Sequence, residues 1–142
     1  MRNYMSDNGI FTITPPDMQL SENGPSITII STDEKMIEDV EDLHETIFKN
    51  VPVNVYHPAG HIQDSNLAWS LSVMRLSDTV FVDLDTANEL SILCAMISKA
   101  NVVFIAGDNR PEVIKLLNST DTEFAIYNSV SEYMARMLES LY

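Results

Sequence analysis

The stretch from residue 78 to residue 107 constrains the fold more than any other part of this sequence. It opens with a short β-rich run at residues 79–82, turns through the acids Asp83 and Asp85, and continues as a helical pattern of apolar residues. A second apolar run follows at residues 102–106. A strand, a helix and a second strand in this order form a parallel crossover in α/β sheets. Because open α/β sheets bind ligands at the edge where their strands end, we expect the functional site beside the two acids.

The rest of the chain repeats this alternation of strand and helix patterns. Compact apolar runs bounded by breakers predict five core strands, at residues 26–30, 51–56, 79–82, 102–106 and 124–127. Alternation of this kind favours a parallel sheet that is covered by helices on both faces. We therefore predict an α/β fold, a single doubly wound, flavodoxin-like or Rossmann-like domain over residues 26–142. Its five-stranded, mainly parallel sheet should have the strand order 2-1-3-4-5.

Residues 1–25 form a polar leader that is interrupted by Pro15-Pro16 and by Pro25. Within it, residues 10–14 alternate between apolar and polar side chains in the manner of a strand. Two interpretations are open. The leader adds an extra strand to an edge of the sheet, or it is an arm that becomes ordered only against a partner.

The charge balance is strongly acidic, with 8 Lys and Arg against 21 Asp and Glu and a formal net charge of −13. Such a chain is repelled by nucleic acid and by anionic lipid, so we expect neither among its partners. The acids serve solubility, dock on a basic protein partner or mimic DNA, and all three interpretations stay open. The single cysteine, Cys94, indicates a reducing compartment. Together with the lack of a secretion signal, this predicts a cytoplasmic protein.

Glu89 has two interpretations because it stands near the start of a predicted helix. Residues 86–89 have the spacing of a capping box, in which the side chain three residues into a helix satisfies a backbone N–H. Residues 31–34, 109–112 and 129–132 have the same spacing. Because the capping-box spacing recurs at four helices, helix capping alone explains why a glutamate stands at position 89, and no catalytic role is needed. Alternatively, a carboxylate at this edge of the sheet acts as a nucleophile or a general base.

The predicted strand order places a switch in winding direction between the first and third strands, where ligands bind. The residues expected to line this crevice follow the ends of the first three strands: Ser31, Thr32, His57, Asp83, Asp85 and Glu89. His57 and His61 have a spacing that suits metal ligands on a helix, but Pro58 and Gly60 favour a loop, so no metal site is predicted. Walker and dinucleotide fingerprints are lacking, so we expect no cofactor.

Three features of residues 57–106 occur in combination. The second strand leads into Pro58-Ala59, a helix containing Trp69 precedes the third strand, and Asp83 comes six residues before Glu89. In these features the chain resembles the nucleoside 2-deoxyribosyltransferase-like superfamily. The resemblance implies that Glu89 is the nucleophile that takes a deoxyribosyl group from a nucleoside. It also implies that Asp83 helps to hold the base.

Two functional hypotheses follow. In the first, the chain binds a nucleoside or a nucleotide-derived small molecule and transfers or hydrolyses at its N-glycosidic bond. In the second, it is a catalytically inactive version of the same fold, which sequesters such a ligand or acts as an acidic interaction protein. We expect the protein to form a homo-oligomer. Its small size, acidity and polar leader are typical of proteins of phage or mobile-element origin.

Overall fold

A seven-stranded sheet forms the centre of the molecule in the computed structural model, which describes residues 4–5, 10–17, 25–47, 51–58, 61–107, 115 and 125–140. The strand order is β1-β2-β4-β3-β5-β6-β7. All neighbouring strands are parallel except the outermost pair, β1 and β2. The strands are β1 (Tyr4–Met5), β2 (Ile10–Ile13), β3 (Ser26–Ile30), β4 (Val53–Tyr56), β5 (Thr79–Asp83), β6 (Val102–Ile105) and β7 (Ala125–Tyr127).

Four α-helices lie in the described part of the chain: α1 (Glu34–Ile47), α2 (Leu67–Leu76), α3 (Glu89–Ile97) and α4 (Val130–Ser140). A short 3₁₀ turn, Asp64–Asn66, leads into α2. None of these helices has the length and the apolar character that crossing a bilayer requires. The helix predicted to begin at residues 109–112 lies outside the described residues.

The predicted fold class is confirmed. The five predicted strands are β3 to β7, and they lie side by side as β4-β3-β5-β6-β7, which is the predicted order 2-1-3-4-5. Strands β4 and β6 are buried along their whole length, and only the first residue of β3 and of β5 is partly exposed. This burial explains why their sequences are nearly continuous apolar runs, since helices cover both faces of a parallel sheet.

The leader enlarges the sheet from the predicted five strands to seven. β2 pairs in parallel with β4, and β1 pairs antiparallel with the outer side of β2. The backbone N–H of His57 continues this pairing by donating to the carbonyl oxygen of Ile13. Trp69 fastens the end of the leader, because its indole N–H donates to the carbonyl oxygen of Asp17. The described part of the leader therefore belongs to the domain.

The helices form two layers, one on each face of the sheet. Helices α1 and α4 pack over one face, where Met36, Val40, Leu43 and Val130 join the core. Helices α2 and α3 pack over the other face, where Met74, Ile92, Cys94 and Ala95 are buried. The loops that follow β3 and β5 therefore leave the sheet toward opposite faces. This divergence opens a crevice between the carboxyl ends of the two strands.

The helix starts follow the predicted capping boxes only in part. At α4 the backbone N–H of Glu132 donates to the Ser129 hydroxyl, and the Glu132 carboxylate accepts from the N–H of Asn128 one residue upstream. At α1 the predicted box over residues 31–34 is wrong. The cap is Asp33, whose carboxylate accepts from the N–H of Lys35, since the Ser31 hydroxyl is engaged elsewhere.

Candidate functional site

Asp83 is the centre of a hydrogen-bond network at the switch point of the sheet. It is the last residue of β5, and only 3% of its surface is exposed. One carboxylate oxygen accepts from the hydroxyl of Ser31 at 2.7 Å and from the hydroxyl of Thr86 at 3.0 Å. The other accepts from the backbone N–H of Asp85 at 3.0 Å. With both oxygens bonded to the protein, the carboxylate is satisfied as buried charges require.

The same hydroxyls join the two loops that leave β3 and β5. Ser31 Oγ accepts from the N–H of Asp33 at 3.0 Å, and Thr86 Oγ1 accepts from the N–H of Thr32 at 3.1 Å. Each hydroxyl thus donates to Asp83 and accepts from the β3–α1 loop. The floor of the crevice is consequently closed by side-chain bonds between residues more than fifty positions apart in the sequence.

His57 extends this network to the loop after β4. Its Nε2 atom lies 3.3 Å from the carbonyl oxygen of Ser31. Because a carbonyl oxygen only accepts, Nε2 carries the proton of this bond. Burial lowers the pKa of His57 below its ordinary value of 6.5, and the bond to Ser31 opposes that effect. The structure therefore brings together four of the six predicted site residues by direct bonds: Ser31, Thr32, His57 and Asp83.

Asp85 has a different role, since it joins the β5–α3 loop to the end of β6. One of its carboxylate oxygens accepts from the backbone N–H of Gly107 at 2.9 Å. A Cβ atom on residue 107 would lie 3.0 Å from the same oxygen, closer than side chains normally approach. A side chain at residue 107 would therefore require the Asp85 carboxylate to move by a few tenths of an ångström.

Glu89 is not part of the network, and its predicted capping role is wrong. The cap of α3 is Asn88, whose amide oxygen accepts from the N–H of Ser91 at 2.9 Å. The Thr86 N–H donates to the Asp83 carbonyl oxygen and so does not bond to Glu89. Glu89 is the first residue of α3 and is exposed. Its carboxylate accepts no hydrogen bond from the described part of the chain.

A cleft of about 210 Å³ lies beside the network at the carboxyl ends of the strands. Of the predicted residues, it is lined by Asp83 and Asp85 but not by Glu89. The other polar residues of its wall were not predicted: Asp33, Lys35, Asp39, Asn128 and Ser129. Asp33 and Lys35 lie at the start of α1, Asp39 lies one turn further along that helix, and Asn128 and Ser129 join β7 to α4. Their signal in the sequence is that they follow the ends of predicted strands.

Carboxylates dominate the wall of the cleft. Asp33, Asp39, Asp83 and Asp85 face a single base, Lys35, whose ammonium lies 3.7 Å from the Asp39 carboxylate. Within the described residues, no group of His, Cys, Asp and Glu is arranged to hold a metal ion. The arrangement instead presents several hydrogen-bond acceptors to a ligand that carries hydroxyl or amino donors.

Comparison with protein-family models, with curated proteins and with solved structures finds no match to this chain. The resemblance to the nucleoside 2-deoxyribosyltransferase-like superfamily therefore stays a prediction.

Proposed function

We propose that this protein binds a nucleoside in the cleft between the starts of α1 and α4. The observation that carries the proposal is the set of carboxylates that line the cleft at the switch point of the sheet. A carboxylate accepts hydrogen bonds from two adjacent sugar hydroxyls, and bonds to charged acceptors are the stronger ones. Asn128 and Ser129 add neutral donors and acceptors to the same wall.

The charge of the cleft favours the nucleoside over the nucleotide. Four aspartates and one lysine line it, and the whole chain has a net charge of −13. A phosphate brought to this edge would meet repulsion from each carboxylate. The volume points in the same direction, because about 210 Å³ is less than the roughly 300–1,000 Å³ of pockets that enclose a drug-sized ligand. We expect the cleft to enclose the sugar and to leave the base at its mouth.

Isothermal titration calorimetry with ribonucleosides, deoxyribonucleosides and their 5′-monophosphates tests the proposal. We expect at least one nucleoside to bind and its monophosphate to bind at least about tenfold more weakly. Asp85→Asn should weaken binding, since it removes a charged acceptor from the wall and keeps an oxygen for the Gly107 N–H. Glu38→Gln removes the same charge from an exposed position of α1 and should leave binding unchanged. The proposal fails if no nucleoside binds.

A second candidate is transfer at the N-glycosidic bond, with the sugar bound beside Glu89 at the start of α3 and not in the cleft, which Glu89 does not line. The carboxylate of Glu89 is exposed at the first residue of α3 and does not cap the helix, and this supports the second candidate. In this reaction a carboxylate oxygen of Glu89 forms a bond to the anomeric carbon of the sugar. The bond between that carbon and the base breaks, and the base takes a proton from solvent as it leaves. A second base or a water molecule then bonds to the anomeric carbon and gives up a proton to solvent, and the bond between that carbon and Glu89 breaks.

Chromatography of a deoxynucleoside incubated with a second free base tests this candidate. Wild-type protein should form the exchanged nucleoside, and Glu89→Gln should form none while it unfolds at the same temperature as wild type. Glu38→Gln serves as the matched control for loss of an exposed carboxylate. Binding without turnover would support the nucleoside-binding proposal alone and would exclude the transfer reaction.

A further inference from the structure

Helix α3 exposes large apolar side chains along one side. Leu93 and Ile97 are 53% and 50% exposed, and Leu90 is half-buried. Positions 90, 93 and 97 lie on one side of a helix, so the three side chains form a continuous line, which we term the α3 stripe. Leu76, at the end of the neighbouring helix α2, is 58% exposed. Exposed apolar residues that cluster in this way mark interaction sites more often than isolated ones do.

The two helical layers differ strongly in charge. Helix α1 carries six acidic residues and a single base, Lys35, on one face of the sheet. On the other face, α2 carries only the charge of Arg75 and α3 only that of Glu89. No charged residue occurs between positions 90 and 98. Among the described helices, the acidic residues are therefore concentrated on the layer that lies opposite the α3 stripe.

We propose that the α3 stripe is the contact through which two copies of this chain associate, with α3 of one copy against α3 of the other. A basic partner is attracted by the acidic face of α1 and gains little electrostatically at the layer of α2 and α3, which carries one charge of each sign on its helices. A second copy, by contrast, presents the same uncharged apolar line. Docking through α3 keeps the two acidic α1 layers on the outer sides of the dimer, where their mutual repulsion is weakest.

The geometry suits a twofold contact. A surface on a single helix meets its own copy across a twofold axis, so that each residue contacts its symmetry partner or a near neighbour. Two helices pack with their axes about 8–10 Å apart when side chains of one fill the spaces of the other. Helix α3 has only nine residues, whereas specific interfaces bury about 800 Å² on each partner. We therefore include in the proposed contact the exposed Leu76 of α2, the helix that packs beside α3.

Light scattering coupled to gel filtration of the full chain tests the proposal. Wild type should elute with twice the chain mass of 16.0 kDa. Leu93→Glu should raise the dimer dissociation constant by roughly 100-fold, because it places two carboxylates in an apolar contact. Leu138→Glu is the matched control, since Leu138 is 44% exposed on α4, in the opposite layer. It should remain dimeric, and both variants should keep the circular dichroism spectrum of wild type.

Crosslinking locates the contact independently. Cys94 is the only cysteine, so Cys94→Ala gives a background without thiols. The Leu93→Cys protein in this background should form covalent dimers with a short bis-maleimide, because each end of the reagent bonds to the Cys thiol of one copy. Leu138→Cys in the same background should not. A wild-type protein that is monomeric at micromolar concentrations overturns the proposal, and so does a dimer that tolerates Leu93→Glu. Monomeric wild type whose melting temperature falls with Leu93→Glu would show that the chain itself covers the stripe.

Discussion

The Ser31 hydroxyl donates a 2.7 Å hydrogen bond to the Asp83 carboxylate and thereby joins the carboxyl ends of two adjacent parallel strands. Ser31→Ala removes this donor and also leaves the N–H of Asp33 without its acceptor. We expect the free energy of unfolding to fall by about 1–3 kcal/mol, which is typical when buried polar groups lose their partner. Urea denaturation measures the loss. Ser72→Ala, at an exposed position of α2, should change stability much less. Equal effects would contradict the structural role of Ser31.

The contact between Gly107 and Asp85 predicts a pair of non-additive substitutions. Gly107→Ala places a Cβ atom 3.0 Å from the Asp85 carboxylate, so the carboxylate must move by a few tenths of an ångström and the 2.9 Å bond weakens. We expect a loss of about 1 kcal/mol. Asp85→Ala removes both the clash and the bond, so adding Gly107→Ala to it should cost much less than in wild type. Additive losses in a double-mutant cycle measured by urea denaturation would rule out this close approach.

The start of α3 predicts opposite results for two neighbouring residues. Asn88 caps the helix and also donates from its amide to the Ile62 carbonyl oxygen at 3.0 Å. Asn88→Ala should therefore lower the free energy of unfolding by about 1–2 kcal/mol. Glu89→Gln should lower it by at most about 0.5 kcal/mol, because only a favourable charge near the helix start is lost. The reverse order of effects, again from urea denaturation, would restore Glu89 as the cap.

His44 predicts a loss of stability in mild acid. It is buried between α1 and the sheet, and burial lowers the pKa of its imidazole below 6.5, an effect that the bond to the Val40 carbonyl oxygen and the charge of Asp78 oppose. Because the fold favours the neutral ring, the unfolded chain binds more protons below about pH 6.5. The contribution of His44 to stability is therefore complete above that pH and is lost as the pH falls through the lowered pKa.

Urea denaturation at about pH 7.5 and about pH 5.5 measures this effect. We expect stability to decline toward the lower pH and the decline to be smaller in His44→Gln. The pKa of His57 is lowered as well, so part of the decline should remain in that variant. Burial raises the pKa of Glu41, which acts in the opposite direction, but that contribution is common to both proteins. An unchanged decline in His44→Gln would refute the assignment.

The order of the five central strands could be predicted because it depends on local patterns and on general topology. Each strand is an apolar run between helix- and strand-breaking residues. Crossover connections between parallel strands are almost always right-handed, and this restricts the order in which the strands can lie in the sheet. The alternation of apolar and polar residues at positions 10–14 also indicated that the leader contains a strand, which is β2. That the strand pairs in parallel with β4, and that β1 adds beyond it, depends on contacts between distant residues that no local pattern contains.

The details of the site were less predictable for the same reason. Ser31 and Thr86 have the spacing of helix caps, but a tertiary partner, Asp83, takes both hydroxyls. The caps then move two residues along the chain, to Asp33 and Asn88. Capping propensity is a local preference, and a buried carboxylate that needs donors outweighs it. The capping motifs therefore marked segments that meet at this edge of the sheet, but they misassigned the hydrogen bonds that these residues make.

The fastening of the leader by Trp69 gives this protein a built-in optical probe. Trp69 is the only tryptophan, its indole N–H donates to the Asp17 carbonyl oxygen, and its ring meets Tyr56 edge-on at 6.2 Å. Detachment of the leader replaces that carbonyl with water and should shift the emission of the indole to longer wavelength. Stopped-flow fluorescence can thus measure when the leader docks on the domain during refolding, separately from the formation of the central sheet and without any added label.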